Sequence, residues 1–331
     1  MRTRMAIVFL CTMQLWVTQA RAQDACEFRP VDTLDAEHGW IAGLNNWGQA
    51  IGSLFYGDPL YVQRPFIWHD GETRVLPALE EGASAGGMAI NDVGRAVGWS
   101  ASAQGTVPVT WFRNEVVALH SRGGGAATAI NNRGQVGGYT FAGQCSFWPS
   151  IHSPPIILHG VGDGYCQVYA ISERGVVVGE ASIADGSVHA FVWENGETDD
   201  VNPSGARISR LEDVNRSNLA TGAAFLDDGP HPLVRWPGGM RVLPQVGTGE
   251  AVNVWGSIAV LDFSIDRALS HLLLGDRFGN LRDMGTLGGY VFAGDLFMND
   301  RFQLAWNPYP EGRQSGLLPP HVCQLNPNRA D

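Results

Sequence analysis

Six acidic residues fall in the links and loops between the apolar runs of this chain: Glu80, Glu81, Asp163, Asp185, Asp227 and Asp228. Two carboxylates about 5 Å apart, or about 7–9 Å apart with a water between them, are what glycoside hydrolysis needs. A secreted glycoside hydrolase or polysaccharide lyase would be built from residues of this kind. Their ordinary role is that of solvated loop acids. They lack the D-x-D-x-D-G spacing of a calcium loop, so calcium has no motif behind it, and no metal site or other cofactor is expected. Gly82-Ala83-Ser84-Ala85-Gly86 has the form of a G-x-S-x-G nucleophile elbow, which requires a strand before it and a helix after it. Here a glycine-rich link leads into the apolar run Met88-Ala89-Ile90, and Ser84 is not expected to attack anything. The nine histidines include no H-x-x-x-H pair. All 22 basic residues are arginine, which excludes Schiff-base, P-loop and Ser–Lys chemistry. The most distinctive loop, Ser53 to Gln63, carries Tyr56, Asp58 and Tyr61, and this mixture of aromatic surface and one acid suits a carbohydrate or a peptide.

The elements that position these residues repeat. GLNNWGQAIG (Gly43 to Gly52) returns as AINDVGRAVG, AINNRGQVGG, AISERGVVVG, DVNRSNLATG, AVNVWGSIAV and, more weakly, FMNDRFQLAW. The position held by Asn recurs at Asn45, Asn91, Asn131, Ser172, Asn215, Asn253 and Asn299, a period near forty residues that marks repeated supersecondary units. Apolar residues before the Asn form a strand, and N-x-x-G reverses the chain. Asn91 and Asn131 hydrogen-bond their own backbone two residues on, and Gly94 and Gly134 accept the positive φ that closes the turn. Alternating small and apolar residues then return as a second strand. A third strand ends on Trp68, Trp111, Trp148, Trp193 or Trp236, and a fourth ends in Leu-Pro or a similar pair. The tryptophans are expected to pack blade against blade.

Four antiparallel strands cannot bury both faces alone, so the units must stack around an axis as a β-propeller; an open β-solenoid is the competing architecture. Six whole units and one split unit predict seven blades. The strand Val31–Leu34 near the N-terminus is expected to close the ring on the outside of the last blade, removing an open edge. Five cysteines become four if Met1–Ala22 is a signal peptide, and a basic start, a short apolar stretch and Ala20-Arg21-Ala22 form such a peptide. The mature chain, 23–331, is then one domain. Four cysteines allow three pairings. Ring closure favours Cys26 with Cys323, which leaves Cys145 for Cys166.

Glycine at 42 residues and a charged fraction of 17% suit short strands joined by tight turns. The formal net charge is −11, and loss of Arg2, Arg4 and Arg21 takes it to −14, a poor surface for nucleic acid or anionic lipid. No stretch after the leader is apolar for long enough to span a bilayer as a helix.

His189-Ala190-Phe191-Val192-Trp193, preceded by AISERGVVVG, and Asp283-Met284-Gly285-Thr286-Leu287-Gly288-Gly289 resemble the HAF-repeat family of exported bacterial proteins. The units of that family read approximately A-I-N-x-x-G-x-V-V-G, H-A-F-L-W and D-L-G-T-L-G-G. The resemblance is specific in units two to four and degenerate elsewhere; Arg64 stands in unit one where the His would be. It implies a propeller exported to the periplasm or beyond, and no reaction. The expected role is therefore non-enzymatic binding of a protein or glycan at the face built by the loops. A loop-carboxylate hydrolase and a self-assembling surface protein are the alternatives.

Overall fold

The structure, a computed structural model, describes residues 26–57, 62–121, 123–160, 164–266, 269–287, 291–309 and 319–327. The expected signal peptide Met1–Ala22, Asp58, Tyr61 and Asp163 lie outside the described residues. Among the described residues every regular element is a strand, and the strands form seven four-stranded blades. Blade 2 shows the plan: Ala85–Ile90 lies innermost, followed outward by Ala96–Ser102, Gly105–Phe112 and Glu115–Ala118. The innermost strands of the other blades are His38–Leu44, Ala126–Ile130, Cys166–Ile171, Ile208–Val214, Gly247–Val252 and Val291–Met298. One parallel bridge, Val188 to Ile208, joins the start of the third strand of blade 4 to the innermost strand of blade 5.

Blade 7 is the split one. Val291–Met298, Gln303–Tyr309 and His321–Gln324 come from the C-terminal end, and Arg29–Pro30 completes the sheet antiparallel to His321–Gln324. The closing strand thus lies just before the expected Val31–Leu34. Val31 gives its N–H to Pro320 O (2.7 Å), and the chain then turns at Leu34, whose φ is 55°. Disulfides join Cys26 to Cys323 across this closure and Cys145 to Cys166 between blades 3 and 4.

The tryptophans do pack blade on blade. Trp111 of blade 2 lies among Ile51, Ile67 and Leu76 of blade 1, and Trp148 of blade 3 lies with Val97 and Leu119 of blade 2. Their indole N–H groups reach back to Pro77 O (2.7 Å) and His120 O (2.6 Å). Buried indoles usually take such a partner; the Trp68 and Trp306 Nε1 groups are buried without one.

Two backbone devices repeat. The fourth residue of each N-x-x-G turn has positive φ in all seven copies: Gly48, Gly94, Gly134, Gly175, Asn218, Gly256 and Phe302. Glycine takes that conformation freely, Asn tolerates it and Phe does not do so readily. The second device is a β-bulge in the inner strand, three residues before the Asn, at Ala42, Met88, Thr128, Tyr169, Glu212 and Glu250. The second strand must come close to each bulge. A Cβ at Gly98 would stand 2.0 Å from Gly86 O, and one at Gly52, 1.9 Å from Trp40 O. This explains why the returning strands of blades 1 to 5 carry glycine at their third position, Gly52, Gly98, Gly138, Gly179 and Gly222, whereas blade 6 has Val260 there.

Candidate functional site: the axial cavity

A bulge re-aims the side chain it carries. Here all six bulged residues line one cavity of about 350 Å³ on the propeller axis. The cavity belongs to the loop face, where the second-to-third-strand loops and the inter-blade links meet. Its wall changes character around the ring. Blades 1 to 3 contribute Trp40, Ala42, Phe55, Met88 and Thr128, while blades 4 to 7 contribute Tyr169, Glu212, Glu250 and Asp295. The floor is apolar: Leu44, Ile90, Ile130, Ile171 and Met298, each directly before the repeat Asn or Ser, line both this cavity and a second one of about 370 Å³ on the turn side.

The polar wall is a connected network. Tyr165 and Tyr169 both donate to Glu180 Oε1 (2.8 and 3.0 Å). Arg210 forms an ion pair with Glu212, and its guanidinium lies over Phe225, 5.6 Å from the ring centre. Thr248 donates its hydroxyl to Glu250, and the Trp40 side chain donates to Asp295. Asp213 accepts the N–H groups of Val214 and Val252, each at 2.8 Å.

Crowding by protein sets the protonation of this wall. Burial, reinforced by the charges of Glu250, Asp295 and Glu180, pushes the Glu212 carboxyl up to about 8 against the opposing pull of Arg210. Burial also raises Glu250 and Asp295, although Asp295 keeps contact with the cavity solvent. Asp213 is raised to about 6 by burial, despite its two backbone donors. Burial and the neighbouring carboxylates push Tyr169 far up, and Tyr165 rises to about 12 for the same reasons. Burial works against the charge on Arg210, but Glu212, Tyr169 and Glu250 outweigh it and hold the guanidinium ionised. Burial thus raises all four carboxyls of this wall, Glu212, Asp213, Glu250 and Asp295, beside one fixed cation.

The acids expected from sequence lie elsewhere. Asp185, Asp227 and Asp228 are exposed in loops at the rim, and Glu80 and Glu81 are exposed in a link; none lines the cavity. Glu80 caps Ala103 N, and Asp228 holds His231 Nε2 at 2.9 Å. Ser84 Oγ accepts Gln63 N–H (3.2 Å) at the start of a strand, with no helix behind it. Tyr56 is half-buried against the core between blades 7 and 1, while its neighbours Phe55 and Gln63 line the cavity. Asn91 and Asn131 form their turns and do more: Asn91 Nδ2 donates to Asn131 O and Asn131 Nδ2 to Ser172 O, both at 2.9 Å.

The cavity residues carry a sequence signal. Three positions before the repeat Asn or Ser, the units read Ala42, Met88, Thr128, Tyr169, Glu212 and Glu250. A position that is small or apolar in some units and acidic in others marks where the repeats diverge.

One further constellation has the order of a catalytic triad. His189 Nε2 lies 3.0 Å from Ser187 Oγ, and Nδ1 lies 2.7 Å from Asp200 Oδ2. The Ser187 hydroxyl, however, donates to Asp185 Oδ1 at 2.5 Å, and its N–H goes to the same oxygen at 2.8 Å. Val188 N–H is taken by Arg207 O, so no adjacent main-chain donor is left for an oxyanion. The His–Asp half recurs in blade 6 as His271 Nδ1 with Asp283 Oδ2 (2.8 Å). It is a cross-strand tie between the third and fourth strands of a blade.

Among the described residues no group of three His, Cys, Asp or Glu is arranged to hold a metal ion, and no helix is long and apolar enough to cross a membrane.

No protein-family model and no curated protein matches the chain. Solved structures do. The β-propeller domain of the Trilobed protease from Pyrococcus furiosus, described as having an open velcro topology, aligns with TM-score 0.59 and 9% identity over 86% of this chain and 95% of that one. YCF48 bound to D1 peptide aligns with TM-score 0.55 and 11% identity over 92% and 96%. The WD40 repeats of RRP9 give TM-score 0.56 and 13% identity over 92% and 100%. The chain is an all-β protein of β-propeller fold. Identities this low establish the fold and nothing more specific.

Proposed function

We propose that this chain is an exported, non-catalytic binding propeller that receives a basic segment of a partner protein in its axial cavity. The observation that carries this reading is the two-sided wall. An apolar and aromatic arc faces the carboxyls of Glu212, Glu250 and Asp295, with the Arg210 guanidinium paired to Glu212. A Lys or Arg side chain fits both halves, its methylene stem on Trp40, Phe55 and Met88 and its cation on Glu212, Glu250 and Asp295. Peptide binding by a propeller of the same fold, YCF48 with D1 peptide, supports such a role. Two disulfides fit an oxidising compartment, and with the leader sequence and the HAF-like repeats they support export to the periplasm or beyond. The test is calorimetric titration of the mature protein with a short Arg-containing peptide and with the same peptide carrying citrulline. Saturable binding of the first and at least tenfold weaker binding of the second are expected, with a matching loss in Glu212→Gln/Glu250→Gln. Equal binding of both peptides, or of neither, would remove this reading. Release of reducing sugar from a soluble polysaccharide, abolished by the same double variant, would replace it with a hydrolase.

A further inference from the structure

The opposite face carries a second site. The third residue of each N-x-x-G turn points away from the fold, and two copies place large aromatic rings there: Trp255 is 75% exposed and Trp47 is 56% exposed. Indoles left to water at this extent cost apolar hydration, and their rigidity here argues against idle surface. Both are fixed by the turn of blade 7, which lies between them. Trp255 Nε1 donates to Asp300 O (3.1 Å), and Val254 N–H goes to Asp300 Oδ1 (2.6 Å). On the other side Asp300 N–H goes to Asn46 Oδ1 (2.8 Å), and the Arg301 guanidinium stands 4.7 Å from the Trp47 ring centre. His69 Nε2 contacts Trp47 O at 3.0 Å and holds the other side of that turn.

Trp47 forms the wall of a depression of about 550 Å³ shared with Gln49, His69, Asp70, Arg301 and Gln303. The two carboxamides are oriented from behind. Gln49 Oε1 accepts Asn45 Nδ2 (2.8 Å) and Gln303 Oε1 accepts Asn299 Nδ2 (2.7 Å), so in each case the amide oxygen faces inward and the NH₂ group is left to donate outward. Asp70 supplies an exposed acceptor. The depression thus offers a fixed indole with the Arg301 guanidinium over one face, two oriented amide donors and the carboxylates of Asp70 and Asp92, with charges of both signs.

We infer that this turn-face depression binds a neutral saccharide. A pyranose presents an apolar C–H face and a rim of hydroxyls that both donate and accept, which is the complement of an indole bordered by amides and a carboxylate. The mixed charge gives no field for a polyanion, and prior fixation of Trp47, Gln49 and Gln303 lowers the ordering cost of a weak ligand. The site is independent of the axial cavity, on the other side of the apolar floor.

The experiment is calorimetric titration of the mature protein with cellotriose, chitotriose and maltotriose. At least one is expected to bind saturably in the millimolar range. Trp47→Ala should weaken that binding by about tenfold or more, as loss of a central aromatic anchor does. Trp47→Phe should retain part of it, and Glu212→Gln on the other face should leave it unchanged. Trp47 is exposed, so the melting temperature of the Ala variant should match the parent and exclude misfolding. Absence of heat with all three sugars, or unchanged binding in Trp47→Ala, would overturn the inference.

Discussion

Glu212 and Glu250 hold the bulge position that is Ala42 in blade 1 and Met88 in blade 2, so two residue choices on a repeated backbone turn a neutral channel into an acidic one. Their placement has a measurable consequence. Glu212 titrates near 8 in the fold, above the ordinary carboxylate range it has in the unfolded chain. Between those two values the folded state holds protons that the unfolded state has released, so stability falls as pH rises through that window. Melting curves from pH 5 to pH 9 should show a declining midpoint whose slope Glu212→Gln reduces, because the amide has no proton to lose, with the remaining decline coming from Asp213, Glu250 and Asp295. A midpoint that rises over this range would contradict the assignment. Binding of a cationic side chain has the opposite slope: it needs the carboxylates ionised, so affinity for the Arg peptide should strengthen toward pH 8. The acids of the links stand out in the sequence because loops carry function more often than strands. Acids in the middle of a strand normally lie on a solvated face, and without the bulge and the axis only the divergence of this position between repeats sets Glu212 apart from such a residue.

The inner hairpin was legible because its turn chemistry is local. Asn, Gly and the apolar pairs around them specify the reversal within a few residues. What the local pattern does not disclose is that the Asn side chains form a belt. Nδ2 of Asn45, Asn91 and Asn131 donates to the main-chain carbonyl at the corresponding position of the next blade, and Asn215 to that of blade 6; Asn299 closes the turn of the ring by donating to Asn45 O at 2.9 Å. Such contacts link residues about forty apart, beyond the reach of any turn rule. The belt lapses after blade 4, where Ser172 uses its hydroxyl to accept the N–H groups of Arg174 and Val176 and has no amide to pass on, and again after blade 6, where the buried Asn253 Nδ2 makes no hydrogen bond. Ser172→Asn is expected to add the missing donor toward Asn215 O and to stabilise the fold by about 1 kcal/mol, the net value of one hydrogen bond. Asn91→Ala removes both the turn acceptor of Arg95 N–H and the link to Asn131 O, and leaves buried partners unpaired, at a cost of about 2–3 kcal/mol. Urea denaturation read by tryptophan fluorescence compares the two. Equal midpoints for Asn91→Ala and the parent would mean that the belt contributes nothing.

At the scale of the whole molecule, ring closure is what a linear repeat cannot supply by itself. A stack of blades ends in two open edges, and only three strands of blade 7 come from the C-terminal segment. The missing strand was traceable in the sequence because the count of units was short by one outer strand. Its register was not, since the two residues that pair, Arg29 and Pro30, have no alternating pattern and Pro30 has no N–H to give. A two-residue strand is a weak latch, and its neighbour the Cys26–Cys323 disulfide provides the tie that the hydrogen bonds do not. Its half-cystines are buried with Trp306 and Leu325, so the covalent link and the packing of blade 7 act together. The sequence separation is 297 residues, against 21 for Cys145–Cys166. In the chain-entropy account the longer loop is worth about 6 kcal/mol and the shorter about 3 kcal/mol. Cys26→Ser/Cys323→Ser should therefore lower the urea midpoint more than Cys145→Ser/Cys166→Ser. It should also let blade 7 open ahead of the rest, seen as early hydrogen exchange in Gln303–Tyr309 and His321–Gln324 while the inner strands of blades 2 to 5 stay protected. A uniform loss of protection around the ring would mean that the propeller unfolds as one unit and that the disulfide acts on the unfolded chain alone. Early exchange confined to blade 7 would identify the closure as the point from which this propeller comes apart.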